Sequence, residues 1–135
     1  MNTLVEHILY LGQEEKGSIN NLILNKVLCL SFRDYFHDYG KNELVQELYD
    51  NGFEIWSYGL AHVKQYREYK HFGRFAIRKK GIYHENLSDF DAYIHKWLNV
   101  SLREMVMEAQ NYELWRTNID KIQKGKQVRI SLESI

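Results

Sequence analysis

Between residues 64 and 80 the chain carries Lys64, Arg67, Lys70, Arg74, Arg78, Lys79 and Lys80 against the single acid Glu68, with Tyr66, Tyr69, Phe72 and Phe75 interleaved. Cations at this density can contact phosphates, and the rings between them can stack on bases. The same side chains can also build a protein interface, because tyrosine and arginine offer large, semi-rigid contacts while the charge steers an acidic partner. The plainest reading is a solvated helix face followed by a loop. Nucleic acid is the least favoured of the three, since 18 Lys and Arg balance 18 Asp and Glu and no clear recognition helix stands out. The charge is uneven along the chain: residues 1–60 hold nine acids and four bases, residues 61–135 nine acids and fourteen bases. Such a dipolar surface suits a charged partner or self-association, which leaves a homo-oligomer open.

Other chemistry is poorly supported. The six histidines, His7, His37, His62, His71, His84 and His95, are scattered, and none forms H-E-x-x-H or joins a cysteine cluster. Only Asp91 and His95 stand four apart on a predicted helix, where both could face one ion; surface or partly buried histidines explain such pairs far more often. Cys29 lies in an apolar run, and no serine sits in a G-x-S-x-G turn, so no catalytic constellation is readable. The eight glycines are isolated and form no phosphate loop. Neither enzymatic activity, a metal nor a cofactor is expected.

Helices must position the cationic stretch. Val63, Tyr66, Tyr69 or Lys70, and Gly73 follow three-to-four spacing, which predicts an amphipathic helix from near Leu60 with Lys64, Arg67 and Lys70 on its polar side. Before it, Phe53 and Ile55 alternate towards a turn at Gly59, and 50–52 is a strong turn signal. Upstream, Leu4, Val5, Ile8 and Leu9 form one apolar face, ended by Gly12 and the charged run after it. A second helix over about 22–37 is apolar nearly all round in its first half, which predicts a central, buried helix; residues 18–21 supply its cap and Gly40 its stop. A weaker helical turn covers 42–49, and Lys79, Lys80 and Gly81 form a loop. Thr3 with Glu6, Ser88 with Asp91, and Ser101 with Glu104 read as capping boxes for three helices, and 112–122 makes one more. Trp56, Tyr58, Trp97 and Trp115 read as core or core-edge anchors. Residues 127–135, QVRISLESI, alternate at first and suit a strand pairing with 53–57. The expected fold is mainly α: one compact helical domain over residues 1–135, with at most one short β-hairpin or strand pair.

At 135 residues, 44% hydrophobic and 27% charged, the chain can bury a normal core without disulfides or metal. One cysteine cannot form an internal bridge, so a reducing compartment is the natural setting. No run approaches the apolar length of a membrane span, and the N-terminus has no basic region followed by an apolar core. A cytoplasmic protein is expected, without a membrane partner.

Phe53, Trp56, Tyr58, Gly59, Tyr66, Tyr69 and Gly73 match the pattern F-x-x-W-x-Y-G-P-V-x-x-x-x-Y-x-x-Y-x-x-Y-G residue by residue. Asn21, Leu22, Leu24, Lys26 and Leu28 are similar to N-L-x-L-Q-K-L-L-Y, and Val106 and Trp115 fit L-V-x-L-T-H-x-E-x-P-W, in the same order along the chain. The sequence thereby resembles the SocA-like family, also called Panacea antitoxin domains, as a divergent member. Leu60, the pair Ala109 and Gln110, and Leu114 stand where that family has proline, Thr-His and proline. The resemblance implies a non-enzymatic protein that binds and neutralises a co-encoded toxin. Members also occur on phages, which implies as an alternative a phage-borne inhibitor of a host defence protein. The family often closes with an I-S-x-E-x-I stretch opening a last helix, similar to 130–135 here. The basic helix and the aromatic block around it are the expected docking surface, with Tyr58, Lys64, Arg67, Tyr69, Lys70 and Arg74 contacting a protein partner.

Overall fold

The computed structural model describes residues 1–110 and 112–135; Asn111, within the motif at 102–115, lies outside them. Two long helices come first, α1 (Asn2–Lys16) and α2 (Asn21–Tyr39), then the short α3 (Glu43–Leu48). A hairpin of β1 (Phe53–Trp56) and β2 (Gly59–His62) runs directly into α4 (Val63–Tyr69). An irregular strap, 73–84, leads through a 3-10 turn to α5 (Asp91–Leu98), followed by α6 (Leu102–Gln110) and α7 (Glu113–Gln123). The fold is mainly α with one short β-hairpin, as the sequence predicts. No helix among the described residues is long and apolar enough to cross a membrane.

The apolar circumference of α2 explains its central place. Leu24, Val27, Leu28, Cys29, Leu30, Phe32 and Tyr35 are all buried, against α1, α4, α5, α6 and the hairpin. At roughly 2 kcal/mol for each fully buried large apolar side chain, this row makes α2 the largest contributor to the core of any one element. By contrast α7 has no buried residue. Cys29 is fully buried in the α2 row, and burial pushes its thiol up to about 12.

Helix starts follow the backbone more than the capping boxes. Asn20 caps α2 by accepting the Ile23 N–H (2.9 Å), Asn42 caps α3 through the Val45 N–H (2.9 Å), and Ser101 accepts the Glu104 N–H (3.1 Å). Thr3 does not cap: α1 already begins at Asn2, and the Met1 carbonyl takes the Val5 N–H. Ser88 falls inside the 3-10 turn that runs on into α5, so it has no free helix end to serve. Gly12 does not end α1 either. It is buried within the helix, with Ile19 packed so close that a Cβ would lie 2.9 Å from its Cδ1.

The segment expected to open a helix near Leu60 forms β2 instead. Phe53 pairs with His62, Ile55 with Leu60 and Trp56 with Gly59, so the turn is at Ser57 and Tyr58 and the helix waits until Val63. The residues at 60–62 are buried and already paired to β1, which outweighs their helical periodicity. On the other edge of β1 the C-terminal residues add a single antiparallel bridge, Glu54 opposite Arg129, with the Ile55 N–H donating to Val128 and the Ile130 N–H to Phe53. One 3-10 turn, Leu132–Ser134, follows.

The cationic strap is pinned to α1 and to the connection between α1 and α2. The Ile77 N–H donates to the Ile19 carbonyl, the Ile82 N–H to that of Glu6, and Gln13 joins the Lys79 carbonyl and the Gly81 N–H.

Gly59 has a φ of +101°, and a Cβ there would stand 2.2 Å from that of Ala109. Gly59→Ala is therefore expected to destabilise the protein by about 3 kcal/mol, from left-handed backbone strain plus overpacking against α6; urea denaturation measures it.

Candidate functional site

The first half of α2 turns three polar side chains inward. Asn21 and Asn25 are four apart and share one helix face, with Lys26 beside them, and all three are buried. Asn25 Nδ2 donates to the His62 carbonyl (2.8 Å) and to Gln65 Oε1 (2.6 Å), while its Oδ1 accepts the His62 N–H (3.2 Å). Gln65 Nε2 donates to Asn21 Oδ1 (2.7 Å), and Asn21 Nδ2 to the Tyr66 carbonyl (2.9 Å). His62 Nδ1 accepts the Gln65 N–H and so caps α4; its Nε2 therefore carries the proton of the neutral ring and donates to Asp50 Oδ1 (2.8 Å). Lys26 Nζ donates to the carbonyls of Tyr58 (2.6 Å) and Leu60 (3.1 Å). The hairpin and α4 are thus held on α2 by amides and an ammonium.

Two ionisable groups here are displaced from their ordinary values. Burial lowers the Lys26 pKa, with the Cys29 sulfur acting weakly the other way. For Asp50, burial pushes the pKa up, but the hydrogen bonds from His62 and the Gly52 N–H, with the N-terminal ammonium nearby, outweigh it and leave the carboxyl below its usual range.

Beside this network lies a cleft of about 360 Å³. The start of α2 and Lys26 line one side, Trp56 and Tyr58 of the hairpin another, and Tyr66, Lys70 and Arg74 the third. Trp56 and Tyr66 meet edge to face, centroids 5.2 Å apart, and the Trp56 Nε1–H is taken by Glu54. Every charged side chain lining the cleft is a cation.

Tyr58, Lys70 and Arg74, three of the six expected contact residues, meet at this cleft. Tyr58 is 57% exposed, so it is not the core anchor its aromatic ring suggests; its carbonyl is held inward by Lys26, and its ring stands clear. Arg67 is exposed on the far side of the Trp56 and Tyr58 ridge, in a second hollow shared with Ile122 and Gln127. Lys64 lies apart, its Nζ donating to the Asp50 carbonyl (3.1 Å). Tyr69 is corrected from contact to support: it is only 3% exposed, with Lys79 over its ring, because its side of α4 faces the core. Trp97 is a true core residue, its Nε1–H donating to Asp34, and Trp115 is half-buried, donating to the Ser57 carbonyl. The cationic pattern singles out neither Lys26 nor the two asparagines; the signal that marks them is three polar side chains in the otherwise apolar first half of α2.

Among the described residues five of the six histidines hydrogen-bond within the fold, and the exposed His71 lies against Phe72. His7 is fully buried, accepts the His84 N–H on Nδ1 and donates from Nε2 to Asp91 (2.6 Å), whose other oxygen takes the Tyr83 hydroxyl. His95 pairs with Glu15, so Asp91 and His95 do not face one ion. Among the described residues no three His, Cys, Asp or Glu side chains converge as a metal site.

Comparison with models of known protein families, with curated proteins and with solved structures finds no match to this chain. The likeness to the SocA-like family therefore stands on the residues quoted above.

Asn25→Ala would strand the His62 N–H, the His62 carbonyl and the Gln65 amide oxygen, and a loss of about 3 kcal/mol in urea unfolding is expected. Asp50 gives a pH signature. With its folded-state pKa lowered, its contribution is complete above the unfolded-state value and disappears as pH falls through the folded-state value. Asp50→Asn should therefore lower the thermal midpoint at about pH 6, and the gap to wild type should close towards about pH 2.

Proposed function

We propose that the protein is a non-enzymatic antitoxin that neutralises a cognate toxin protein by direct, stoichiometric contact. The docking face comprises the hairpin tip and the basic side of α4. One observation carries this reading: Tyr58, Lys70 and Arg74 meet at a single cleft whose walls are backed by the buried Asn25 and Lys26 hydrogen bonds, with Arg67 across the ridge. Large aromatics beside cations are the composition of binding hot spots, and a backed, preformed surface loses little conformational entropy on docking. Tyr58 and Phe75, at 57% and 67% exposure, add apolar area beside those charges. A buried, unbridged Cys29 supports action in the cytoplasm. The resemblance to Panacea domains supplies the class of partner.

The test is purification of the tagged protein from its native host, identification of the protein that comes with it, and co-expression of the two. A stable partner whose growth inhibition is relieved is the expected result, and Arg67→Glu with Lys70→Glu should weaken the complex at least about tenfold while leaving the circular dichroism and melting curve intact. Retention of the partner by that double variant would mean the complex forms through another surface.

A further inference from the structure

We infer that the cleft between α2, the hairpin tip and α4 takes an acidic segment of the protein partner, with a carboxylate on the Lys26 ammonium between Lys70 and Arg74 and a neighbouring apolar side chain against Trp56 and Tyr66. This inference rests on the protein-binding reading and names the chemistry of the partner.

Lys26 is the starting point. Its side chain is buried, and no carboxylate among the described residues pairs with it. A buried charge without a counter-ion is costly, and two carbonyls satisfy only two of its three N–H donors. Because Lys26 also lines the cleft, a carboxylate entering there meets a donor and a charge already in position. Lys70 and Arg74 add two exposed cations, and the cleft lies at the N-terminal end of the 19-residue α2, where the helix dipole favours negative charge. Opposing charge is absent from the lining.

The remaining cations argue for a compact acidic group over a nucleic-acid strand. Lys64 is turned to Asp50, Lys79 lies over Tyr69, Arg67 sits across the Trp56 and Tyr58 ridge, and neither these nor Arg78 and Lys80 line the cleft. They do not continue the cleft into a track that a phosphate backbone would follow. The perpendicular rings of Trp56 and Tyr66 together form an aromatic wall that suits one apolar side chain.

Lys26→Met is the obvious variant, but it also unties the Tyr58 and Leu60 carbonyls. The test is therefore an NMR titration of the isotope-labelled full chain with Ac-Glu-Phe-Glu-NH2, its neutral analogue Ac-Gln-Phe-Gln-NH2, and adenosine monophosphate. The acidic peptide should shift the Trp56 indole N–H and the side-chain amides of Asn21 and Asn25. The neutral peptide should bind at least about tenfold more weakly, and the Lys70→Glu, Arg74→Glu double variant should show the same loss for the acidic peptide. Equal response to both peptides, a stronger response to the nucleotide, or no shift at the cleft would overturn the inference. The titration contains no toxin, so its failure leaves stoichiometric neutralisation standing. Conversely, failure to find any toxin partner defeats the wider reading without touching the peptide response.

Discussion

The buried polar contact between α2 and the segment from β2 to α4 is the constraint on which the rest of the structure depends. Amides and ammonium groups lose water when buried, and that loss is offset only if each finds a partner in good geometry. Asn25 does so with both the backbone and Gln65, and Lys26 does so for two of its three N–H donors, with two hairpin carbonyls. A hydrophobic patch would let the hairpin slide by a residue; this set of bonds permits one register and one approach of α4. A two-stranded hairpin is marginal by itself, so its place in the fold comes from α2 on one edge and the C-terminal residues on the other.

That constraint also shapes the surface. Because Lys26 holds the Tyr58 carbonyl inward, the turn at 57–58 presents the Tyr58 ring to solvent, while Trp56 is braced against Tyr66 and Glu54. The walls of the cleft are thus second-order consequences of buried hydrogen bonds. The same polar residues that orient the hairpin bring a cation to the edge of the cleft. Lys26 thus both ties the hairpin to α2 and lines the cleft.

Much of the fold was legible in the sequence. The apolar circumference of α2, its cap at residues 18–21 and its stop at Gly40 follow from side-chain chemistry local to that helix, and they appear as expected. The turn at 50–52 and the helix beginning after Ser101 are similarly local. What was not legible depended on neighbours distant in sequence. Thr3 and Ser88 are chemically suitable caps, but their helices begin elsewhere because of the backbone around them. Gly12 resembles a stop signal until Ile19 packs on it. Residues 60–62 fit a helical period, yet pairing with β1 makes them a strand.

For the candidate site the division is similar. The sequence by itself determined that this region is cationic, aromatic and amphipathic, because those properties are summed from residue types and short spacings. Only the tertiary structure decided that Tyr58, Lys70 and Arg74 share a cleft, that Tyr69 is buried, that Lys64 turns away, and that Lys26, about thirty residues upstream of the hairpin tip, belongs beside them. Periodicity tells which face of a helix is apolar, but not which distant carbonyl will satisfy a buried ammonium. That choice is made when the hairpin docks on α2, since only then are water molecules removed and specific partners required.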